Sequence, residues 1–167
     1  MNMRNILLFL IIFLFNITSV KAWVFGVGYF NFSFSKEFYD YDSENIDNYS
    51  FGYEIFSPKY PKNIIKDFGL NIRYGDNGFI LSSFYSLIPF WIAAPEEYGE
   101  FFNLLFGIGS NISYNISKNI FGIGPQVHID FIFAYVIKFR LLYRYNIYFN
   151  DNNSNEIELF IGFRHFL

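Results

Sequence analysis

Cysteine is absent from the 167 residues, so neither a disulfide framework nor a lipid-modified N-terminal cysteine is open to the chain. Charge is scarce: Asp, Glu, Lys and Arg make up 16% of the sequence, against about 25% in soluble domains. Histidine occurs only at His128 and His165, and two distant imidazoles without a thiol argue against a transition-metal site. Nothing calls for a cofactor. Long apolar runs are missing as well. Beyond the N-terminus no stretch reaches the about 18 uncharged apolar residues of a membrane-spanning helix, because Asn, Ser, Gly or a charge interrupts every few positions. A basic surface is lacking too: the formal charge is −3, which argues against a nucleic-acid partner.

What is abundant is aromatic. Phe contributes 25 residues and Tyr 14, and 53% of the chain is hydrophobic, more ring surface than one small soluble domain hides. The first residues have the layout of a secretory signal peptide: Arg4, an apolar stretch from Ile6 to Phe15, then small residues at Val20 and Ala22. Residues 1–22 are therefore read as a cleaved leader and 23–167 as one domain. Loss of Arg4 and Lys21 with the leader takes the formal charge from −3 to −5.

The mature chain alternates. Phe30, Phe32 and Phe34 oppose Asn31, Ser33 and Ser35 in a first strand from Trp23. Lys36 to Asn48, with Glu37, Asp40, Asp42, Glu44 and Asp47, reads as a solvated loop. Tyr49 to Ile55 and Phe68 to Tyr74 alternate again, and Gly75-Asp76-Asn77-Gly78 suits a tight hairpin into a fourth strand, Phe79 to about Ile88. Pro89 to Gly99 mixes breakers and acids and reads as a loop or a short interfacial helix. Strands five to seven come next, from Phe102, Phe121 and Ile137, with a turn near Ser117-Lys118-Asn119 and no turn residue between Phe131 and Ile137. Asp151 to Asn155 turns the chain into a closing strand, in which Ile157, Leu159, Ile161 and Phe163 alternate with Glu156, Glu158, Gly162 and Arg164. Phe-Gly-Val-Gly at Phe25 recurs as Phe-Gly-Ile-Gly at Phe106 and Phe121. It lacks the third glycine of a nucleotide loop and reads as room for larger neighbours.

Eight strands over about 145 residues give about 18 per strand and connection, enough to cross a bilayer. The expected fold is all-β: an antiparallel up-and-down transmembrane β-barrel. Rings face lipid in this arrangement, and Glu54, Arg73, Asp130, Lys138, Arg140, Arg144, Glu156, Glu158 and Arg164 lie in the lumen, where they must pair because an isolated buried charge is costly. Pairing across the last turn is expected to set Glu158 diagonal to Arg144 and Arg164 near Arg140. The consequence is a plugged interior rather than an open pore.

The ending Gly162-Phe163-Arg164-His165-Phe166-Leu167 resembles the C-terminal assembly signal of bacterial outer-membrane barrels, with Leu167 at the place of the usual Phe and His165 at that of an aromatic. With the strand count and alternation, the chain resembles the small eight-stranded outer-membrane barrels of the OmpA and OmpX type. The resemblance implies insertion by the barrel-assembly machinery, residence among outer-membrane lipid and both termini in the periplasm. It leaves the loop at 36–48 on the cell surface, open to a host or envelope protein. The leading expectation is a structural or surface-interaction protein, adhesin-like, and not an enzyme. A lipid-modifying enzyme is the alternative: the lipid A deacylase barrel carries His-x-Ser on one strand, and His128-Ile129-Asp130 has Asp130 at the serine position. A nucleophile would then have to come from Ser82, Ser86 or Ser113 on another strand. A narrow channel or small-ligand carrier is the third reading.

Overall fold

The computed structural model describes residues 27–40, 45–57, 65–76, 78–93, 102–134, 136–149 and 152–165. The expected leader, Trp23 to Gly26, Phe166 and Leu167 lie outside them. Eight strands run β1 (Val27–Tyr39), β2 (Asn45–Ser57), β3 (Ile65–Gly75), β4 (Gly78–Ala93), β5 (Phe102–Asn115), β6 (Ile120–Phe133), β7 (Ile137–Tyr148) and β8 (Ser154–His165). Each pairs antiparallel with its sequence neighbour, and β8 returns to β1 from Gly28↔His165 to Tyr39↔Ser154, closing the barrel. Closure satisfies the edge groups that an open sheet would leave bare.

The two faces of the sheet are sorted by the period of two. On β7 the side chains of Lys138, Arg140, Leu142, Arg144 and Asn146 are buried, whereas Phe139, Leu141, Tyr143 and Ile147 between them are exposed. On β8, Glu156, Glu158 and Phe160 point inward, and Ile157, Leu159, Ile161 and Phe163 outward. Phe30, Phe32, Phe34, Phe51, Ile72 and Val127 continue this exposed apolar wall on other strands. Water would not tolerate such a wall; hydrocarbon does.

The acidic stretch 36–48 is mostly strand. Lys36↔Asp47, Glu37↔Ile46 and Phe38↔Asn45 are ladder pairs, and only 40–44 connect β1 to β2, with Asp42 and Glu44 outside the described residues. The density of charge points to a loop, but the alternation persists through it: Glu37 turns inward and is fully buried, while Lys36 and Asp47 face out, 3.9 Å apart. The second difference concerns Pro89, which lies in β4. The register with β5 passes from Leu87↔Ile108 to Phe90↔Phe106, so one extra residue is inserted. A bulge is where a barrel strand can place a proline. It also reverses the parity, so that Ile88 points inward and Phe90 and Ile92 point out. β6 and β7 are joined through 134–136, where Val136 N–H donates to the Phe133 carbonyl over 2.9 Å and Ala134 takes φ 46°. An alanine in the left-handed region is rare, which is why no turn residue announces this connection.

Connections at one end of the barrel are short: 40–44, 76–77, 116–119 and 149–153. At the opposite end the lumen is sealed by an apolar cluster of Tyr29, Ile88, Leu105 and Ile132, with Ile65 against it. A smaller cluster, Ile112, Tyr114 and Phe121, occupies outward positions near the short-turn end but is shielded from the surroundings. There Phe149 covers Phe121, ring centroids 5.5 Å apart, and Tyr114 Oη donates to Asn119 Oδ1 over 2.6 Å.

Candidate functional site

Inside the wall the polar side chains form two charged layers. The first lies above the apolar seal. Arg140, on β7, reaches across the lumen: Nε donates to Asp130 Oδ1 and Nη2 to Asp130 Oδ2, both at 2.6 Å. Its Nη2 also donates to Asp67, and its Nη1 lies 3.2 Å from Glu54 Oε2. The guanidinium is flanked by the rings of Phe84 and Phe160, at 5.2 and 5.7 Å. Lys138 pairs with Glu54 and lies over the Tyr29 ring at 5.1 Å. Asn31 Nδ2 donates to Glu54 Oε2 over 3.2 Å. The fork of Arg140 can serve three carboxylates because they arrive from β2, β3 and β6 at one height.

The second layer lies toward the short-turn end. Arg73 on β3 donates through Nη1 to both oxygens of Glu156, at 2.6 Å each. Arg144 reaches Glu158 and lies 3.6 Å from Glu156 Oε2. Asn146 Nδ2 donates to Glu156 Oε2 over 3.2 Å, and Ser33 and Ser50 both donate to Glu158. Glu37 completes the layer, accepting from Tyr148 Oη at 2.7 Å and from Ser154. The side chains of Glu54, Asp67, Arg73, Asp130, Lys138, Arg140, Glu156 and Glu158 have no solvent exposure. Such groups are tolerated only in partnership.

Eight of the nine charged residues expected in the lumen thus fall into these two layers. Glu158 lies diagonal to Arg144, whose direct partner on β8 is Glu156. Arg164 is placed differently. The turn sets Asn146↔Ser154, which carries Arg140 to Phe160 and leaves Arg164 beside Val136, to whose carbonyl its N–H donates over 2.8 Å. Across the seam Arg164 meets Tyr29. Gly162, between Lys138 and Asn31, and His165, opposite Gly28, lie in the closing strand. Asp67 and Glu37 join the layers from outside the expected set, the first because β3 begins before Phe68, the second because its strand runs on through the acidic stretch. The sequence does carry a signal for Asp67: it continues the series Gly69, Asn71, Arg73 backwards by one step of two.

His128 Nδ1 lies 3.0 Å from Asp130 Oδ1, so half of a relay is formed. Its Nε2 has no hydrogen-bond partner and packs over Gly107, where a Cβ would come within 2.0 Å of it. Ser86 Oγ accepts from Gln126 Nε2 over 2.9 Å, and the Ser82 and Ser113 hydroxyls are buried without a partner. Among the described residues no serine is bonded to His128. No group of three or more His, Cys, Asp or Glu able to hold a metal ion occurs among them either.

Comparison with known structures settles the architecture. Neisserial surface protein A is similar with a TM-score of 0.53 at 11% identity, over 83% of this chain and 96% of that one. The outer-membrane enzyme PagL is similar with a TM-score of 0.53 at 10% identity, over 80% of this chain and 98% of that one. The chain has the fold of the small outer-membrane barrels. Ail of Yersinia pestis, in complex with a heparin analogue, aligns more loosely, with a TM-score of 0.43 at 11% identity over 84% of this chain and 99% of that one. No family model matches the sequence and no curated protein does. An outer-membrane barrel must put lipid against its outer wall, and the exposed Phe, Ile, Leu and Val of this chain meet that requirement.

Proposed function

We propose that the chain is a structural, non-conducting barrel of the bacterial outer membrane, inserted by the barrel-assembly machinery with its short-turn end toward the exterior. The observation that carries this reading is the filled lumen: two ion-paired layers with no exposed charge, resting on the seal of Tyr29, Ile88, Leu105 and Ile132. A conducting pore needs a hydrated path past such groups; here their mutual bonds occupy it. Reconstitution into planar bilayers tests it, and the expected record has no unitary current steps. Steps in wild-type protein that are selective for ions would overturn the reading.

A surface-interaction role falls to the rim rather than to a protruding loop, since 36–48 contributes only 40–44 beyond the strands. That rim displays Asp40, held by Tyr145 Oη at 2.9 Å and Asn155 Nδ2 at 3.0 Å, with the Lys36–Asp47 pair further along β1 and β2. The His128 to Asp130 contact favours a second reading, a lipid hydrolase, with the outer-membrane enzyme PagL sharing the fold. An ester-hydrolysis assay on lipid vesicles distinguishes the two. Activity lost in His128→Gln with retained folding would establish the enzyme; no activity in either protein is expected.

A further inference from the structure

Glu54, Asp67, Asp130, Glu156 and Glu158 are each ion-paired to a Lys or Arg. Among the described residues Glu37 makes no such pair, although it is fully buried. Its Oε1 accepts from neutral hydroxyls, Tyr148 Oη at 2.7 Å and Ser154. Its direct partner in the ladder between β1 and β8 is Glu156, and like charges set opposite one another repel. The upper layer thus holds three carboxylates, Glu37, Glu156 and Glu158, against two guanidiniums, those of Arg73 and Arg144, which are spent on Glu156 and Glu158. A buried charge left without compensation is costly.

The other oxygen of Glu37 shows what supplies the missing charge. Oε2 faces the Asn48 side-chain amide, with Nδ2 3.5 Å away, while Asn48 Oδ1, also buried, accepts no hydrogen bond. A half-turn of the amide exchanges its two ends and brings its oxygen to about 3.5 Å from Oε2. That spacing is too long for a shared proton, since O–H···O bonds run at about 2.5–3.0 Å. It suits two oxygens of one cation shell: at right angles and about 2.4 Å from a calcium-sized ion, they stand about 3.4 Å apart. Sodium has nearly the same radius, and its single charge makes up the deficit of one where calcium would overshoot it. Ser35, the register partner of Asn48, places a buried hydroxyl on the same inward face, and such an oxygen offers a lone pair while its proton goes elsewhere. Tyr39 stacks on Tyr148 with 6.5 Å between centroids at this end of the lumen, so the group lies against the exterior rim, where cations arrive in water.

We propose that Glu37, Asn48 and Ser35 form a binding site for one sodium ion, which completes the upper layer. The ion lies between Glu37 Oε2 and the turned Asn48 Oδ1, and water from the rim fills the rest of its shell. The half-turn serves the amide as well. Asn48 Oδ1 and the Asp47 carbonyl oxygen both fall 2.3 Å from the Cβ position of Gly75, two acceptors side by side; turned, Asn48 sets its N–H group toward that carbonyl. The ion is a resident of the layer and requires no conduction.

The test is a titration of the isotope-labelled, folded protein in neutral-detergent micelles with sodium chloride. Ionic strength is held constant with N-methylglucamine chloride, whose cation is too large for the site. NMR follows the Asn48 side-chain amide, the Glu37 carboxyl carbon and the amides of Ser35 and Ser154. Sodium is expected to shift these signals saturably. It should also favour the folded state in urea by a factor of one plus the ratio of sodium concentration to the Kd from the same titration. Glu37→Gln can keep the bonds from Tyr148 and Ser154 and donate to Asn48; it is expected to fold and to lose both responses. Asn48→Ala is expected to weaken sodium binding about tenfold. The absence of a saturable shift, an equal response to added N-methylglucamine chloride, or a sodium response that survives in Glu37→Gln overturns the proposal. So does a Glu37 carboxyl carbon that resonates as the protonated acid at neutral pH and is unmoved by sodium, which assigns a proton to the place of the ion. Should Glu37→Gln fail to give the compact, heat-sensitive gel form, the wild-type titration and Asn48→Ala decide.

Discussion

Replacing Arg140 by alanine is the most informative perturbation of this barrel. The side chain has no exposure and touches Asp130 twice at 2.6 Å, Glu54 at 3.2 Å and Asp67. Its removal leaves three buried carboxylates facing Lys138 as the remaining strong cation of that layer, and opens a gap between Phe84 and Phe160. Stripping one partner from a buried ion pair costs about 3–5 kcal/mol. Surface pairs are worth about 1 kcal/mol or less. With a urea slope of about 2 kcal/mol/M, the midpoint of unfolding should drop by about 1.5–2.5 M. The assay is urea unfolding in lipid vesicles followed by tryptophan emission, with gel mobility before and after boiling as a check on folding. Adding Asp130→Asn to Arg140→Ala should recover part of the loss, because the second change removes a stranded charge. A drop below about 0.5 M at unchanged slope would refute the idea that the layer is held by mutual satisfaction.

Arg73→Ala removes two 2.6 Å bonds from Glu156 and should lower the midpoint comparably to Arg140→Ala, by about 3–5 kcal/mol, in the same unfolding assay. Gly124→Ala sets a Cβ 1.6 Å from main chain and should prevent the compact gel form; Gly28→Ala, where the nearest atom is the side-chain Tyr53 Oη at 2.0 Å rather than main chain, should fold with a loss of about 1–3 kcal/mol. Lys36→Ala breaks a 3.9 Å pair of half-exposed side chains and should change the midpoint by less than about 1 kcal/mol. Simultaneous loss of Tyr29 and Leu105 to alanine opens the apolar seal but leaves both charged layers in place, and planar-bilayer records should still show no unitary current steps.

Much of this architecture is legible because a barrel wall obeys one rule, inward and outward by turns, and a lipid exterior puts the apolar set where it can be counted. The lumen charges of β7 and β8 can be named from Lys138, Arg140, Arg144, Glu156 and Glu158 alone. Legibility fails where the rule is locally broken or masked. Pro89 reads as a stop, yet a bulge absorbs it and inverts the parity of the residues after it. Glu37 is hidden among surface acids, although it faces Tyr148. The height at which side chains from distant strands meet depends on the stagger between strands, which no local pattern records. So the meeting of Arg140 with Asp67, 73 residues apart, is visible only in the folded chain, and Arg164 lies at a different level from the one its spacing implies.

The seam between β1 and β8 bears on the order of events when the chain assembles. Seven of the eight ladders join consecutive strands and can form as local hairpins, whereas the eighth joins residues more than a hundred positions apart, as in Ser33 with Glu158 and Glu37 with Ser154. Both contacts also complete the upper charged layer. Until β8 docks on β1, Arg73 lacks Glu156 and Glu158 lacks Ser33, and both keep their hydration, which holds the unfinished sheet out of hydrocarbon. Completion of the cylinder and dehydration of its contents are therefore one step, so the last strand made is also the one that makes the protein fit for a membrane.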